Sequence, residues 1–158
     1  MANTPNFKGG KVSICATVQD DDLDQAGFEA LTFVEAGKVI EHANIAISTG
    51  DSAQNYWGHG VTQHQKGHVD VGGASVMFGY DPDDTGHDEF DTASASRSSF
   101  AVKIELDDNP NGVTNTIVYT RGYITYPEYQ FGEGEAFFNK TFNTMYNQLP
   151  IVVKPTDV

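Results

Sequence analysis

Three histidines that lie close together in the sequence could bind a metal ion. His59, His64 and His68 fall within GHGVTQHQKGH, and the last two have the i, i+4 spacing that places zinc ligands on one face of a helix. The glycines of this segment oppose a helix, and no glutamate follows His64 as in the HExxH motif of zinc proteases. We therefore favour a solvated loop. A small hydrolase that uses these histidines is an alternative, and it requires zinc retention that depends on all three.

The acidic runs raise the question of a calcium site. Asp20, Asp22 and Asp24 match positions 1, 3 and 5 of an EF-hand loop, but Gln25 stands where the loop needs glycine and Leu31 where it needs glutamate. The second acidic run, DPDDTGHDE, also lacks glutamate at its twelfth position. No dedicated calcium site is predicted.

The usual signatures of catalysis are missing from the sequence. Cys15 lies on a predicted strand, where a buried thiol is usually inert, and there is no GxSxG, P-loop or GxGxxG motif. Glu133 and Glu135 in FGEGEAF are typical of a solvated turn, whereas glycosidases need two carboxylates across a cleft. The sequence thus predicts no enzyme activity, no metal and no cofactor.

The charge balance excludes several classes of function. The chain has 158 residues, with 9 Lys and Arg against 22 Asp and Glu, which gives a formal net charge of −13. Sequence-specific nucleic-acid binding rests on basic side chains that neutralise phosphates, so it is not expected. No apolar run is long enough for membrane insertion, and the first residues lack the apolar core of a signal peptide. The single cysteine cannot form an internal disulfide, which favours the cytosol.

The remaining composition indicates one all-β domain over residues 1–158. A hydrophobic content of 39% is enough for a packed core. Turn signals recur roughly every 8–15 residues without a long amphipathic pattern, which favours a sandwich or barrel. Alternating and β-branched residues predict the strands Lys11–Val18, Lys38–Ser48, Val69–Tyr80, Phe100–Leu106, Thr114–Tyr126, Glu135–Tyr146 and Leu149–Lys154.

The third predicted strand changes parity at its glycine pair. The apolar residues before and after Gly72–Gly73 would fall on opposite faces of a regular strand. One extra residue at this pair, a β-bulge, would return them to a single face. The other face would then be polar and carry Asp70 and Ser75.

One helix is predicted at about Asp88–Arg97. Thr85 followed by Asp88 three residues later fits a capping box, and an acidic first turn suits a helix N-terminus. Phe90 and Ala93 would dock this helix on a sheet.

The segment Ser48–Lys66 has no strand pattern and is predicted to be a long loop. Loops of this length in a compact domain are usually functional or disordered. This one contains the only tryptophan, Trp57, beside Tyr56, and aromatic side chains on loops commonly anchor interfaces. Two interpretations stay open: a contact surface, or Trp57 folded back onto its own core.

The order of these features resembles the tail tube protein, or major tail protein, of long non-contractile tailed bacteriophages. The resemblance covers most of the chain. It rests on an N-terminal arm and the segments KVSICATV, ANIAIST, DSAQNYWGHG, HVDVGGASVMFGYDPDDTGHDEFDTA, SFAVKIEL, TNTIVYTRGYIT and AFFNKTFNTMYNQLPIVVKP. The DPDDTG turn between strand and helix is the segment most typical of that family.

The resemblance implies a structural role in a virion tail assembled in the host cytoplasm. It implies a β-sandwich flanked by one short helix, whose inner sheets join into a β-barrel when six copies form a ring. Stacked rings would make a tube that delivers the genome into the host. The implied partners are further copies of the chain, tail tip, terminator and tape measure proteins, and passing DNA that is not specifically bound.

The resemblance also implies which residues make contacts. The arms at about residues 1–10 and 150–158 and the loop at about 48–66 would join one ring to the next. The candidates are Pro5, Phe7, Asn55, Tyr56, Trp57, His59, Ile151 and Val153. Asp70 and Ser75 are the candidates for the lumen, where a like-charged wall would discourage phosphates from sticking.

A different function class accounts for the aromatic segment equally well. A β-sandwich could use Tyr56 and Trp57 to bind carbohydrate or a receptor, and this interpretation requires both side chains to be exposed beside polar groups in a single copy.

Overall fold

The protein is described here from a computed structural model that covers residues 8–108 and 114–156. Within these residues the chain is mainly β, as the sequence predicts, with two helices. In chain order the elements are β1 (Lys11–Cys15), α1 (Gln25–Glu29), β2 (Phe33–Ala36), β3 (Val39–His42), β4 (Ser48–Gln54), β5 (Gln63–Asp70), β6 (Gly73–Gly79), α2 (Thr85–Ala95), β7 (Phe100–Glu105), β8 (Ile117–Ile124), β9 (Glu128–Gln130), β10 (Asn139–Tyr146) and β11 (Ile151–Val153).

Most strands belong to one antiparallel sheet of nine strands. Its order is β2-β1-β7-β8-β10-β6-β3, with β11 beside the first half of β8 and β9 beside the first half of β10. β4 and β5 pair only with each other. The expected sandwich of two facing sheets is therefore replaced by a single large sheet and a separate hairpin, and the large sheet does not close into a barrel.

The two edges of the large sheet nevertheless lie close together. β2 and β3 are the outermost strands, yet only Gly37 and Lys38 separate them in sequence. Ala36 and Val39 can be at most about 11 Å apart, because one trans peptide spans about 3.8 Å. The sheet must therefore curl around until its edges almost meet.

The start of α2 bridges the gap between these edges. The Gly37 N–H donates to Asp84 Oδ2 (2.9 Å), and His87 Nε2 donates to the Gly37 carbonyl oxygen (2.7 Å). The helix N-cap is Asp84, whose carboxylate also accepts from the N–H groups of Gly86 and His87. The predicted cap, Thr85, is wrong by one residue because the Asp84 carboxylate takes that role. Thr85 is the first helical residue, and Asp88 lies in the acidic first turn as expected.

The main core lies on the face of the sheet that α2 covers. Phe90 and Ala93 of α2 are buried there, as the sequence predicts. Phe90 packs against Phe78 of β6 and Phe142 of β10, with ring centroids 5.2 and 5.3 Å apart. The helix begins earlier than expected, at Thr85, and ends at Ala95.

A smaller core lies on the other face of the sheet. Phe28 of α1 is fully buried and stacks on Tyr119 of β8, with ring centroids 5.2 Å apart. Cys15 and Ala101 are buried in the same cluster. α1 was not predicted, and its five residues are too few to show a helical periodicity in the sequence.

The predicted strand Val69–Tyr80 is wrong in its middle. β5 ends at Asp70, and β6 begins at Gly73 in a different sheet. Gly72 adopts a positive φ of 65°, a left-handed conformation that glycine allows without strain. The glycine pair therefore forms a corner between two sheets instead of a bulge within one.

Burial of one histidine predicts a pH dependence of stability. His42, at the end of β3, donates through Nδ1 to the Ala43 carbonyl oxygen (2.7 Å), and burial lowers the pKa of its ring below the usual 6.5. The unfolded chain then binds this proton more readily than the folded one. We expect the urea midpoint to fall as the pH decreases through about 6.5, until the folded-state pKa is passed.

Two variants check this pH dependence. His42→Gln should remove the step near pH 6.5 from a plot of urea midpoint against pH. His59→Gln, which alters an exposed histidine, should keep it. A full step in the His42 variant would contradict the assignment.

Asp81 and Asp108 have lowered pKa values, because side-chain hydrogen bonds from Lys38 and Thr116 stabilise their charged forms. Their contribution is lost only at more acidic pH.

Candidate assembly surface

The hairpin β4–β5 is the part of the molecule with the least support from its own chain. Almost every residue of both strands is exposed, so no part of the chain within residues 8–108 and 114–156 covers either face of this two-stranded sheet. A two-stranded ribbon is at best marginally stable in water, because it buries little apolar surface. The hairpin is therefore suited to packing against another molecule. The predicted long loop is wrong, since most of Ser48–Lys66 is paired strand.

Two glycines let the hairpin strands approach closely. A Cβ atom added to Gly67 would lie 2.9 Å from the carbonyl carbon of Gly50, which is closer than real Cβ contacts. The pairing register shifts between Thr49 and Asp51 at the same place. The polar residues and glycines that look like a loop in the sequence thus build a twisted ribbon.

The tip of the hairpin brings four predicted contact residues together. Thr62 donates to Asn55 Oδ1 (2.6 Å), and the His59 N–H donates to the Tyr56 carbonyl oxygen (3.1 Å). Trp57 is fully exposed, so it does not fold back on the core. This decides the structural question left open by the sequence.

The other contact candidates lie elsewhere. Ile151 and Val153 of β11 are half-buried against the smaller core, beside Tyr119. Pro5 and Phe7 lie outside the described residues. The structure therefore groups only the residues of the hairpin tip.

The two lumen candidates do not share a face. Asp70 is exposed at the end of β5, where Oδ1 accepts from the Gly72 N–H (3.0 Å), whereas Ser75 lies on β6 opposite Asn143. The sheet face that holds Ser75 carries no charged side chain on β6 or β10. By strand alternation it presents Ser75, Met77, Asn139, Thr141, Asn143 and Met145.

The histidines do not form a metal site in the part of the chain that the structure describes. His64 Nδ1 lies 2.8 Å from Asp51 Oδ2 across the hairpin. No group of three or more His, Cys, Asp or Glu side chains that could hold a metal ion occurs among residues 8–108 and 114–156. No helix in these residues is long and apolar enough to cross a membrane.

An apolar groove lies at the opposite end of β3 and β6 from the hairpin. Its volume is about 700 Å³, and its lining comes from the start of β3, the end of β6 and the segment that leads into β10. Two of its apolar residues, Ile40 and Phe137, are 53% and 85% exposed. The full lining consists of Lys38, Val39, Ile40, Gly79, Tyr80, Phe137, Phe138 and Asn139.

A second, acidic cavity adjoins this groove across an aromatic ridge. The ridge is the pair Tyr80 and Phe138, with ring centroids 4.9 Å apart, and both residues line both cavities. Lys140 and Asp91 line the acidic cavity, and the Lys140 ammonium pairs with the Asp91 carboxylate at 2.5 Å. Asp81 pairs with Lys38 at 3.0 Å, so the one cation in the apolar groove is neutralised.

Comparisons with known proteins place the fold. No family model and no curated protein matches the sequence. One matching chain occurs in the cryo-EM structure of the anti-feeding prophage baseplate, 6-fold symmetrised, with TM-score 0.59, 12% identity and 92% of each chain covered. Another occurs in an extracellular contractile injection system, the PVC sheath/tube terminator in the extended state, with TM-score 0.63, 11% identity, and 91% and 92% of the chains covered. The chain therefore shares its fold with a chain of each of these two assemblies.

The likeness extends over the whole domain. It covers about nine-tenths of both chains in each comparison, so the matched chains are similar in length to this one. At 11–12% identity it concerns the fold alone. The second matched structure is a contractile injection system, whereas the sequence resemblance was to non-contractile tails.

The apolar groove was not predictable from the sequence. Its residues come from three separate segments, around Lys38, Gly79 and Phe137. Within one segment, the sequence hints at the groove only through Phe137 and Phe138, which follow the FGEGEA turn. Two adjacent aromatic residues cannot both face the same side of a strand, so one of them is expected to be exposed.

Proposed function

We propose that this chain is the tube subunit of a tail-type particle. Six copies form a ring, strands of neighbouring copies join into a continuous barrel, and rings stack into a tube through which the genome passes into the host. The proposal is supported by the shared fold, since one matched chain belongs to a six-fold assembly and the other to a sheath/tube terminator.

The exposed hairpin is the observation that carries this proposal. It projects a fully exposed tryptophan on a ribbon that its own chain covers on neither face. Large exposed apolar groups on a separate element are typical of interaction sites. Neighbouring copies would cover the ribbon and add the apolar burial that it lacks alone.

The charge distribution suits the passage of DNA. The chain has a net charge of −13, and the outward face of β6 and β10 carries no lysine or arginine. A wall without cations offers no phosphate sites, and the acidic surroundings raise the energy of close approach by DNA. The lumen in this proposal is lined by the neutral face that holds Ser75, with acidic residues around it.

The proposal gives the chain a location and a set of partners. It acts in the virion tail, after assembly in the host cytoplasm, and contacts further copies of itself together with tail tip, terminator and tape measure proteins. It performs no catalysis and needs no metal or cofactor. A sheath around the native tube, seen by electron microscopy, would assign it to the contractile class.

Replacing the exposed tryptophan tests the role of the hairpin. Trp57→Ala should abolish tube formation by the purified chain, or its incorporation onto a preformed tail end, as seen by negative-stain microscopy. Its unfolding midpoint should stay unchanged, because Trp57 contacts no core. Tyr126→Ala, which alters another exposed aromatic residue, should leave the tubes normal. Normal tubes from the Trp57 variant would remove the hairpin from the assembly.

The binding-module alternative is favoured by the same exposure. Tyr56 lines a small cavity together with polar side chains of the hairpin, and Trp57 next to it is fully exposed, as a carbohydrate-binding or receptor-binding surface requires. The two functions differ in what they need. Stacked rings formed without any added glycan or receptor support the tube subunit, whereas a chain that binds glycan and never associates with itself or with tail ends supports the module.

A further inference from the structure

The hairpin and the apolar groove lie at opposite ends of the same two strands. The hairpin connects to the end of β3 and to the start of β6 at Gly73, whereas the groove is at Lys38 and Gly79. The six residue steps along β6 correspond to roughly 20 Å at about 3.3 Å per residue. The full exposure of Trp57 shows that it does not occupy the groove of its own copy.

The hairpin tip and the groove both lack unpaired charges. Residues 52–63, which form the outer part of the hairpin, contain no Asp, Glu, Lys or Arg in a chain whose net charge is −13. Among the described residues that line the groove, Lys38 alone is charged, and it is already paired with Asp81. Two acidic copies can therefore meet at these surfaces without bringing like charges together, which elsewhere on the molecule would oppose association.

We propose that the hairpin tip of one copy, with Tyr56 and Trp57, inserts into the apolar groove of a second copy. This inference rests on the proposed function and specifies the contact between successive rings. The indole and phenol rings would pack against Val39, Ile40 and Phe137. The groove volume of about 700 Å³ is ample for two aromatic side chains.

The contact is directional, and this has a consequence for growth. The tip and the groove are different surfaces, so each copy can donate to one neighbour and accept from another, which generates extended stacks instead of closed pairs. A single tip buries far less area than a stable interface requires. Six tips engaged at once from a ring gain by multivalency, so rings stack where isolated copies do not.

Site-specific photocrosslinking identifies the partner of the tip. Tyr56 is replaced by p-benzoylphenylalanine in the full chain, which keeps Trp57, and assembled particles are irradiated. We expect covalent dimers whose crosslinked peptides contain Ile40 or Phe137. Crosslinks that map only to other segments, or only within one copy, would overturn the inference.

Charged substitutions in the groove provide the second readout. Ile40→Asp with Phe137→Asp should lower the dimer yield at least about tenfold, and both positions are exposed enough to accept the change without unfolding. Tyr126→Asp with Val18→Asp adds the same charge at exposed apolar positions outside the groove and should leave the yield unchanged.

Mixing variants separates this inference from the proposed function. Copies with Trp57→Ala keep an intact groove, and copies with the two groove substitutions keep an intact tip. Neither alone should stack, whereas the mixture should form pairs of rings that grow no further. Groove variants that stack like the wild type would show that the tip docks elsewhere, although the tube role would stand. A wild-type chain that never associates, even on preformed tail ends, would overturn both.

Discussion

Replacing Gly86 with alanine is expected to destabilise the fold by about 2–3 kcal/mol, although alanine is the better helix former. Gly86 lies in the first turn of α2, where the helix rests directly on β2. An added Cβ would lie 2.3 Å from the Glu35 carbonyl oxygen and 2.5 Å from Ala36 Cα. Both contacts are with backbone, so no side chain can turn away, and the helix must move from the sheet.

Urea unfolding of a matched pair measures this effect. Gly60→Ala adds the same methyl group where nothing lies within 4 Å, and it should change the free energy of unfolding by less than about 0.5 kcal/mol. Equal stability of the Gly86 and Gly60 variants would mean that α2 does not rest on β2 as described.

Replacing Arg121 with methionine is expected to cost about 2–4 kcal/mol of folding free energy. The guanidinium is 4% exposed on β8, and it donates to the carbonyl oxygens of Gln19 and Asp20 and to Gln148 Oε1. It also pairs with the exposed carboxylate of Asp22. Methionine fills a similar volume but leaves these acceptors without their donor, and the acidic segment before α1 loses its attachment to the sheet.

A matched substitution of Arg97 separates the effect of the buried hydrogen bonds from the effect of losing a positive charge. Arg97→Met removes the same charge from an exposed position and should change the stability little. Arg121→Lys should recover only part of the loss, because one ammonium cannot reproduce the forked geometry of a guanidinium. Calorimetric unfolding of the three variants gives the order, and an Arg121→Met midpoint equal to that of Arg97→Met would contradict this role.

The parts of the fold that the sequence predicts are those in which burial leaves a periodic trace. In β7, Phe100, Val102 and Ile104 alternate toward the main core and are found there. This alternation does not reveal the whole core, because Ala101, which lies between them on the opposite face, is buried as well. Strand positions were therefore predictable, but the second core that includes α1 was not.

The candidate site could be predicted only as a set of residues, without its shape. Trp57 was a candidate contact residue, because aromatic side chains on loops commonly anchor interfaces, but the sequence left open whether it folds back onto the core. The strands that carry it were not recognisable, since a ribbon exposed on both faces needs no apolar alternation, and its glycines resemble loop signals. The groove was hidden for a different reason: it exists only after three distant segments come together.

The near-meeting of β2 and β3 also affects how the molecule can deform. A closed cylinder of strands widens only by breaking a full ladder of backbone bonds. Here the gap is spanned by the two-residue connection through Gly37 and Lys38 and by two hydrogen bonds between Gly37 and the beginning of α2. The two edges can therefore shift relative to each other, within the reach of this connection, while every hydrogen-bonded strand pair stays intact.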